Sequence, residues 1–180
     1  MQALRIGIAI AWLVFWIGWL AVGFTAKRSV GRRYFLGGRG LAAVAVVVLI
    51  RGFGHGSLDV HSVVLGIIGA VLFVAGIALA IWARVILGRN WGMPMTQRAE
   101  PELITGGPYG VIRHPIYTGI LLGLVGTSLV TSLIGLGIAL ILGIYFVSAA
   151  RVEERNLTVT FPTAYPAYQA RTKMLVPFLL

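Results

Sequence analysis

Long apolar runs separated by short polar islands set the layout of the chain. The first runs from Ile6 to Phe24, about the length a helix needs to cross a hydrocarbon core of ~30 Å. It exceeds a signal-peptide core and carries Trp12, Trp16 and Trp19 instead of a small-residue cleavage site. It is therefore expected to persist as a first span. A second, less regular run covers Leu36 to Phe53, with Arg51 near its end, and a third, rich in Gly and Ala, covers Ser62 to Ile86. A long polar connection, residues 88–115, leads to two shorter runs, Ile116–Val130 and Leu133–Val147, divided by Thr131 and Ser132. About fifteen helical residues cover roughly 22 Å, less than a hydrocarbon core, so these two predict an antiparallel pair that crosses and returns. The tail from Arg151 begins amphipathically, with Val152, Leu157, Val159 and Phe161 among polar residues. It can prolong the fifth helix beyond the membrane and turn at Pro162. Tyr165 and Tyr168, three apart, can share a helix face.

This pattern predicts an all-α integral membrane protein with about five transmembrane helices. It forms one structural domain, with N-terminal helices in 1–61 and a core in 62–180. Composition agrees: 58% of the 180 residues are hydrophobic and 11% charged, against about a quarter charged in soluble domains. The net charge is +10, from 15 Lys and Arg against 5 Asp and Glu. In a membrane protein that excess marks cytoplasmic ends and meets anionic headgroups, and no motif points to nucleic acid. Placing the loop Lys27–Arg39 inside puts the N-terminus out and the C-terminus in. Of the 15 basic residues, Arg5 and Arg51 then face outward and the other 13 inward. There is no cysteine, which excludes disulfides and thiolate chemistry. His55 and His61 lie six apart across Gly56, which is not a helical ligand spacing, so no metal site is expected. No nucleophile elbow, P-loop or dinucleotide-binding glycine motif is present.

The densest chemistry lies in Gly106–Gly119, GGPYGVIRHPIYTG. Its glycines allow tight turns and its prolines stiffen the backbone. Pro115 suits the first position of a helix, whose free N–H groups and positive end favour an anion. Arg113 adds a planar fork of donors matched to carboxylate or phosphate. A second polar island, Arg151, Glu153, Glu154 and Arg155, falls at the same side of the proposed hairpin. Adjacent helical residues point about 100° apart. Only one of the two glutamates is therefore expected to face a shared pocket, the other pairing with Arg151 or Arg155.

GPYGVIRHPIYTG resembles the G-x-Y-x-x-x-R-H-P-x-Y-x-G signature of isoprenylcysteine carboxyl methyltransferases and their phospholipid methyltransferase relatives. The acidic pair that follows in that family matches Glu153–Glu154, and the tail from Phe161 to Tyr168 resembles its F-G-x-x-Y-x-x-Y element. Val176-Pro177-Phe178 resembles its closing apolar-Pro-Phe, and LGRNWG at 87–92 resembles bacterial members. Pro162 stands where the family often has Gly, and Thr163 and Ala164 where it is often acidic. The resemblance covers roughly the last hundred residues.

The resemblance implies a bacterial-type short member, in the inner membrane with its site facing the cytoplasm. It implies S-adenosylmethionine as cofactor, with S-adenosylhomocysteine as product, and a C-terminal helical segment closing the cofactor pocket. By position, Tyr109, His114, Pro115, Tyr117, Gly119 and Glu153 are the expected cofactor-binding residues. Arg113, Arg151 and Glu154 are the expected catalytic residues, with Arg151 holding an acceptor carboxylate. Trp91, Tyr165 and Tyr168 are expected to contact the substrate. The expected acceptor is lipophilic, most of all an isoprenylcysteine-like carboxylate, with a phospholipid amine or a thiol as alternatives. A membrane reductase using NADPH and a non-enzymatic transporter are the competing classes. Partners beyond membrane lipids and the oligomeric state are left open.

Overall fold

The computed structural model describes residues 1–23, 29–30, 58–91, 97–98 and 102–177. The second expected span, Leu36–Phe53, lies outside them, as do His55, Met93, Met95 and the closing Phe178. Four long helices and one short one make up the described body: α1 Gln2–Gly23, α2 Val63–Leu87, α3 Pro115–Val130, α4 Ile134–Thr160 and α5 Ala164–Arg171. A two-residue strand β1, Ser29–Val30, pairs antiparallel with β2, Gln97–Arg98. α1, α2 and α4 are each long and apolar enough to cross a membrane. α3 has 16 residues, roughly 24 Å.

Local chemistry sets the ends. Ser62 caps α2 by accepting from the Leu65 N–H at 3.4 Å. α2 stops where Gly88 takes φ +54°, a conformation natural to glycine. Pro115 opens α3. α4 outruns its apolar segment, Leu133–Val147, and continues as a helix to Thr160; Ala149, Ala150 and Glu154 of this extension are buried against the body. At about 40 Å it is longer than a hydrocarbon core, and its last turns carry the glutamates. It ends before Pro162, and α5 then carries Tyr165 and Tyr168, both buried.

The core is the seam between α2 and α3. A Cβ placed on Gly76 would lie 2.5 Å from the Gly119 carbonyl oxygen, and one on Gly126 would lie 2.5 Å from that of Gly69. Only glycine lets the backbones approach this closely. α1 lies across the seam through Trp12, which donates to Thr127 Oγ1 at 2.9 Å and packs edge-on against Phe73. At the far end Arg5 donates to the carbonyls of Val60, Val130 and Thr131 at 2.8–3.2 Å and lies 3.8 Å from Asp59. It thereby ties α1 to the last carbonyls of α3.

These contacts fix directions. α1 and α2 run parallel, and α3 runs antiparallel to both. α4 returns antiparallel along α3, with Phe146 stacked on Tyr117 at 4.3 Å. The end of α2, the start of α3 and the end of α4 therefore meet at one end of the bundle.

Candidate active site

Two elements bring the site together. The loop 106–114 enters α3, and residues 172–175 run beside it as a strap. The Arg113 and His114 N–H groups donate to the Lys173 and Met174 carbonyls at 2.7 and 3.0 Å, and the Lys173 N–H returns to Val111 at 3.1 Å. Thr118 Oγ1 donates to the Leu175 carbonyl at 2.6 Å. Tyr168, from α5, donates to the Tyr109 carbonyl at 2.7 Å. The expected C-terminal helical segment thus packs against the loop.

Arg113 Nε lies 2.6 Å from Glu154 Oε1, and both side chains are about nine-tenths buried. Its Nη1 donates to the Thr172 carbonyl at 2.5 Å and to that of Gln169 at 3.3 Å. Gln169 Nε2 donates to Glu154 Oε2 at 3.1 Å. Arg113 is therefore engaged by the protein, and one task of its charge is to join α4 and the strap to the start of α3.

His114 sits between the two glutamates. Its Nδ1 is 3.5 Å from Glu153 Oε2 and its Nε2 is 3.4 Å from Glu154 Oε1; Nε2 is buried and has no aligned hydrogen bond among the described residues. Burial of His114 disfavours the charged form, but the two carboxylates outweigh it and hold the imidazole above its ordinary range. The separation of Glu153 and Glu154 expected from helical geometry is thus corrected. Both reach one residue, because the two nitrogens lie on different edges of the imidazole. Tyr117 donates to Glu153 Oε1 at 2.5 Å, and its ring stacks between His114 at 5.4 Å and Phe146. Glu153 is the more open carboxylate, with its side chain 22% exposed.

Around this pair stand aromatic rings. Tyr109 is buried, and its hydroxyl donates to the Ala83 carbonyl at 3.4 Å. Tyr165 is 1% exposed, lies edge-on to Tyr168 at 5.9 Å, and has a hydroxyl with no hydrogen-bond partner among the described residues. Burial pushes the pKa of the Tyr109, Tyr165 and Tyr168 hydroxyls up, the last to about 12, so all three are neutral hydrogen-bonding groups. Arg151 is exposed, at one end of an apolar groove of ≈ 530 Å³ between α3 and α4.

The structure gathers Tyr109, Arg113, His114, Pro115, Tyr117, Glu153, Glu154, Tyr165 and Tyr168 at one end of the bundle. Gly119 lies elsewhere, in the α2–α3 seam, where a Cβ would lie 2.6 Å from the Gly76 carbonyl oxygen. Trp91 packs edge-on to Trp19 at 5.7 Å and under the Arg84 guanidinium at 4.8 Å. Gln169 and Thr172, absent from the sequence expectations, complete the Arg113 site. Thr172 and Gln169 offer Arg113 main-chain carbonyls, which leave no residue signature, and Gln169 adds its side-chain amide to Glu154. Among the described residues no three His, Asp or Glu side chains gather as a metal site.

The sequence profile of the phospholipid methyltransferase family matches residues 64–164, more than half of the chain and the whole of this constellation up to the start of α5. The chain belongs to this family. It is 32% identical over 139 residues to the nickel-cobalt-cadmium resistance protein NccN of Alcaligenes xylosoxydans xylosoxydans, covering 76% of this chain and 62% of that one. It is 32% identical over 111 residues to the cobalt-zinc-cadmium resistance protein CzcN of Cupriavidus metallidurans, covering 60% and 49%. It is 30% identical over 115 residues to protein-S-isoprenylcysteine O-methyltransferase B of Arabidopsis thaliana, covering 62% and 58%. The chain thus spans about half to three-fifths of the length of these relatives. Its fold is similar to that of the eukaryotic intramembrane Ras methyltransferase ICMT (isoprenylcysteine carboxyl methyltransferase), with a TM-score of 0.60 at 23% identity, covering 83% of this chain and 55% of that one. With this family and its apolar helices, the chain is an integral membrane protein.

Proposed function

We propose that this family member is a membrane methyltransferase that binds S-adenosylmethionine at the His114–Glu153–Glu154 cluster and methylates a lipophilic acceptor, an isoprenylcysteine-like carboxylate above all. One observation carries the reading: two carboxylates meet an imidazole at a helix start, beside an apolar groove that ends in an arginine. The same reading places the cluster on the cytoplasmic side of five spans, in the inner membrane of a bacterium.

The residues present fit the cofactor. Glu153, one-fifth exposed, suits an ammonium or a ribose hydroxyl. The buried Tyr165 hydroxyl, unbonded among the described residues, gives a further polar contact. Tyr109, Pro115 and Tyr168 shape the loop and tail around these groups. Arg113 and Glu154 hold the frame by their mutual bond, which keeps His114 and Glu153 in place.

When bound, the cofactor supplies an electrophilic methyl group on a sulfonium, whose loss leaves a neutral thioether. A carboxylate acceptor is already anionic and needs no base. Arg151 orients that carboxylate, and the buried cluster excludes water, so proximity and desolvation provide most of the acceleration. An amine acceptor would need a proton acceptor, for which Glu153 is the more open of the two carboxylates.

Calorimetric titration with S-adenosylhomocysteine tests the site in wild type, Glu153→Ala and His114→Ala. Micromolar binding in wild type, lost in the variants, is expected. A folded wild type that binds NADPH and not S-adenosylhomocysteine would overturn the proposal.

A further inference from the structure

The groove between α3 and α4 has a directional lining. For most of its length the walls are aliphatic, Leu121 and Val125 on α3 facing Leu136 and Leu140 on α4. Polar character appears only at one end, at Ser148 and Arg151. That end is also the end of the bundle where Glu153 and Glu154 lie. A channel that is greasy along its shaft and cationic at its mouth matches an amphiphile with an anionic head. Its ≈ 530 Å³ is ample for one hydrocarbon chain.

The floor of the groove is made by what α4 lacks. Ala139 and Gly143 line it one helical turn apart. Gly143 has no strain that requires glycine: among the described residues a Cβ there would meet only Leu121 Cδ2, at an ordinary 3.8 Å. Unlike the glycines of the α2–α3 seam, it is not demanded by helix packing. What its missing side chain provides is room in the groove.

We propose that this groove seats the single apolar chain of the acceptor with its anionic head at Arg151, and that Gly143 and Ala139 determine the chain length accepted. The inference rests on the acceptor reading above for the role of Arg151. At 1.5 Å per helical residue, Gly143 lies roughly 12 Å and Ala139 roughly 18 Å along α4 from Arg151. An extended chain advances about 1.3 Å per bond of ~1.5 Å. A side chain grown at position 143 therefore meets chains longer than about nine carbons, and one at 139 meets chains longer than about fourteen.

The test is photo-crosslinking of the full chain in nanodiscs with two carboxylate probes, of eight and sixteen carbons, each bearing a diazirine at the chain end. In wild type, the longer probe should label the α3–α4 groove near Ala139 and the shorter probe should label it near Gly143. Gly143→Leu should reduce labelling by the longer probe about tenfold and spare the shorter one. Ala139→Leu should cut the longer probe's labelling as well, and Arg151→Gln should weaken both. Gly143→Ala should fold and label as wild type. Binding of S-adenosylhomocysteine should be unchanged in the position 139 and 143 variants, which separates this inference from the cofactor reading: loss of cofactor binding in wild type overturns that reading alone. Long-probe labelling that ignores Gly143→Leu overturns the inference, as does labelling spread equally over the lipid-facing sides of α1 and α2, which would mean that bilayer lipid fills the groove.

Discussion

The bond between Arg113 and Glu154 can be removed from either side, and the structure says the two losses differ. Glu154→Leu leaves a buried guanidinium that keeps the carbonyls of Thr172 and Gln169 but has lost its counter-charge at 2.6 Å. Breaking a buried pair in this way costs about 3–5 kcal/mol. The retained carbonyl bonds favour the low end, on the order of 3 kcal/mol. Arg113→Met leaves Glu154 with the Gln169 amide at 3.1 Å and His114 at 3.4 Å, so its loss should be smaller, about 2 kcal/mol. For a chain of this size, 1 kcal/mol moves Tm by about 2–4 °C. Glu154→Leu should then lower Tm by roughly 6–12 °C and Arg113→Met by roughly 4–8 °C. The double variant should lose less than the sum, with a coupling of about 2 kcal/mol, because it leaves no charge stranded. The assay is thermal unfolding in one detergent for all four proteins. Additivity within about 0.5 kcal/mol would refute the reasoning, since two residues bonded in a buried site cannot be independent.

Three more outcomes follow from the geometry. The raised imidazole of His114 stabilises the fold fully below its unfolded value near 6.5, and that contribution is lost as pH rises through the higher folded value; the Tm gap between wild type and His114→Gln should therefore shrink as pH rises, and a gap that widens would contradict the assignment. Tyr117→Phe removes the 2.5 Å bond to Glu153 while keeping the stack on Phe146, so S-adenosylhomocysteine should bind about tenfold more weakly, with Tm nearly unchanged by the same thermal assay. Gly119→Ala forces a Cβ to 2.6 Å from the Gly76 carbonyl oxygen and 2.7 Å from the Ala80 nitrogen; Tm should fall by several degrees, corresponding to about 1–3 kcal/mol of overpacking, and an unaltered Tm would argue against the seam.

The helices were legible because apolar runs of membrane length have few other structures open to them. The polar end of the bundle was legible because GPYGVIRHPIYTG concentrates turn residues and charges where an apolar helix begins. The strap was not: residues 172–175 bind the loop through main-chain groups of Lys173, Met174 and Leu175, and no side-chain pattern announces them. The partner of Arg113 was equally hidden, since Arg151 and Arg155 lie closer to Glu154 in sequence. The angle between adjacent helical residues suggested that one glutamate would turn away. It could not anticipate a ring that offers a nitrogen to each.

The pairing of Arg113 with residues made later in the chain has a consequence for biogenesis. Glu154 follows it by 41 residues and the Thr172 carbonyl by 59. At about 5–20 residues per second, the arginine waits roughly 2–8 s for its counter-charge and roughly 3–12 s for the strap. Until then the guanidinium has neither its counter-charge nor its carbonyl partner, so the loop before α3 can close on α4 and the strap only after Glu154 and Thr172 have been made.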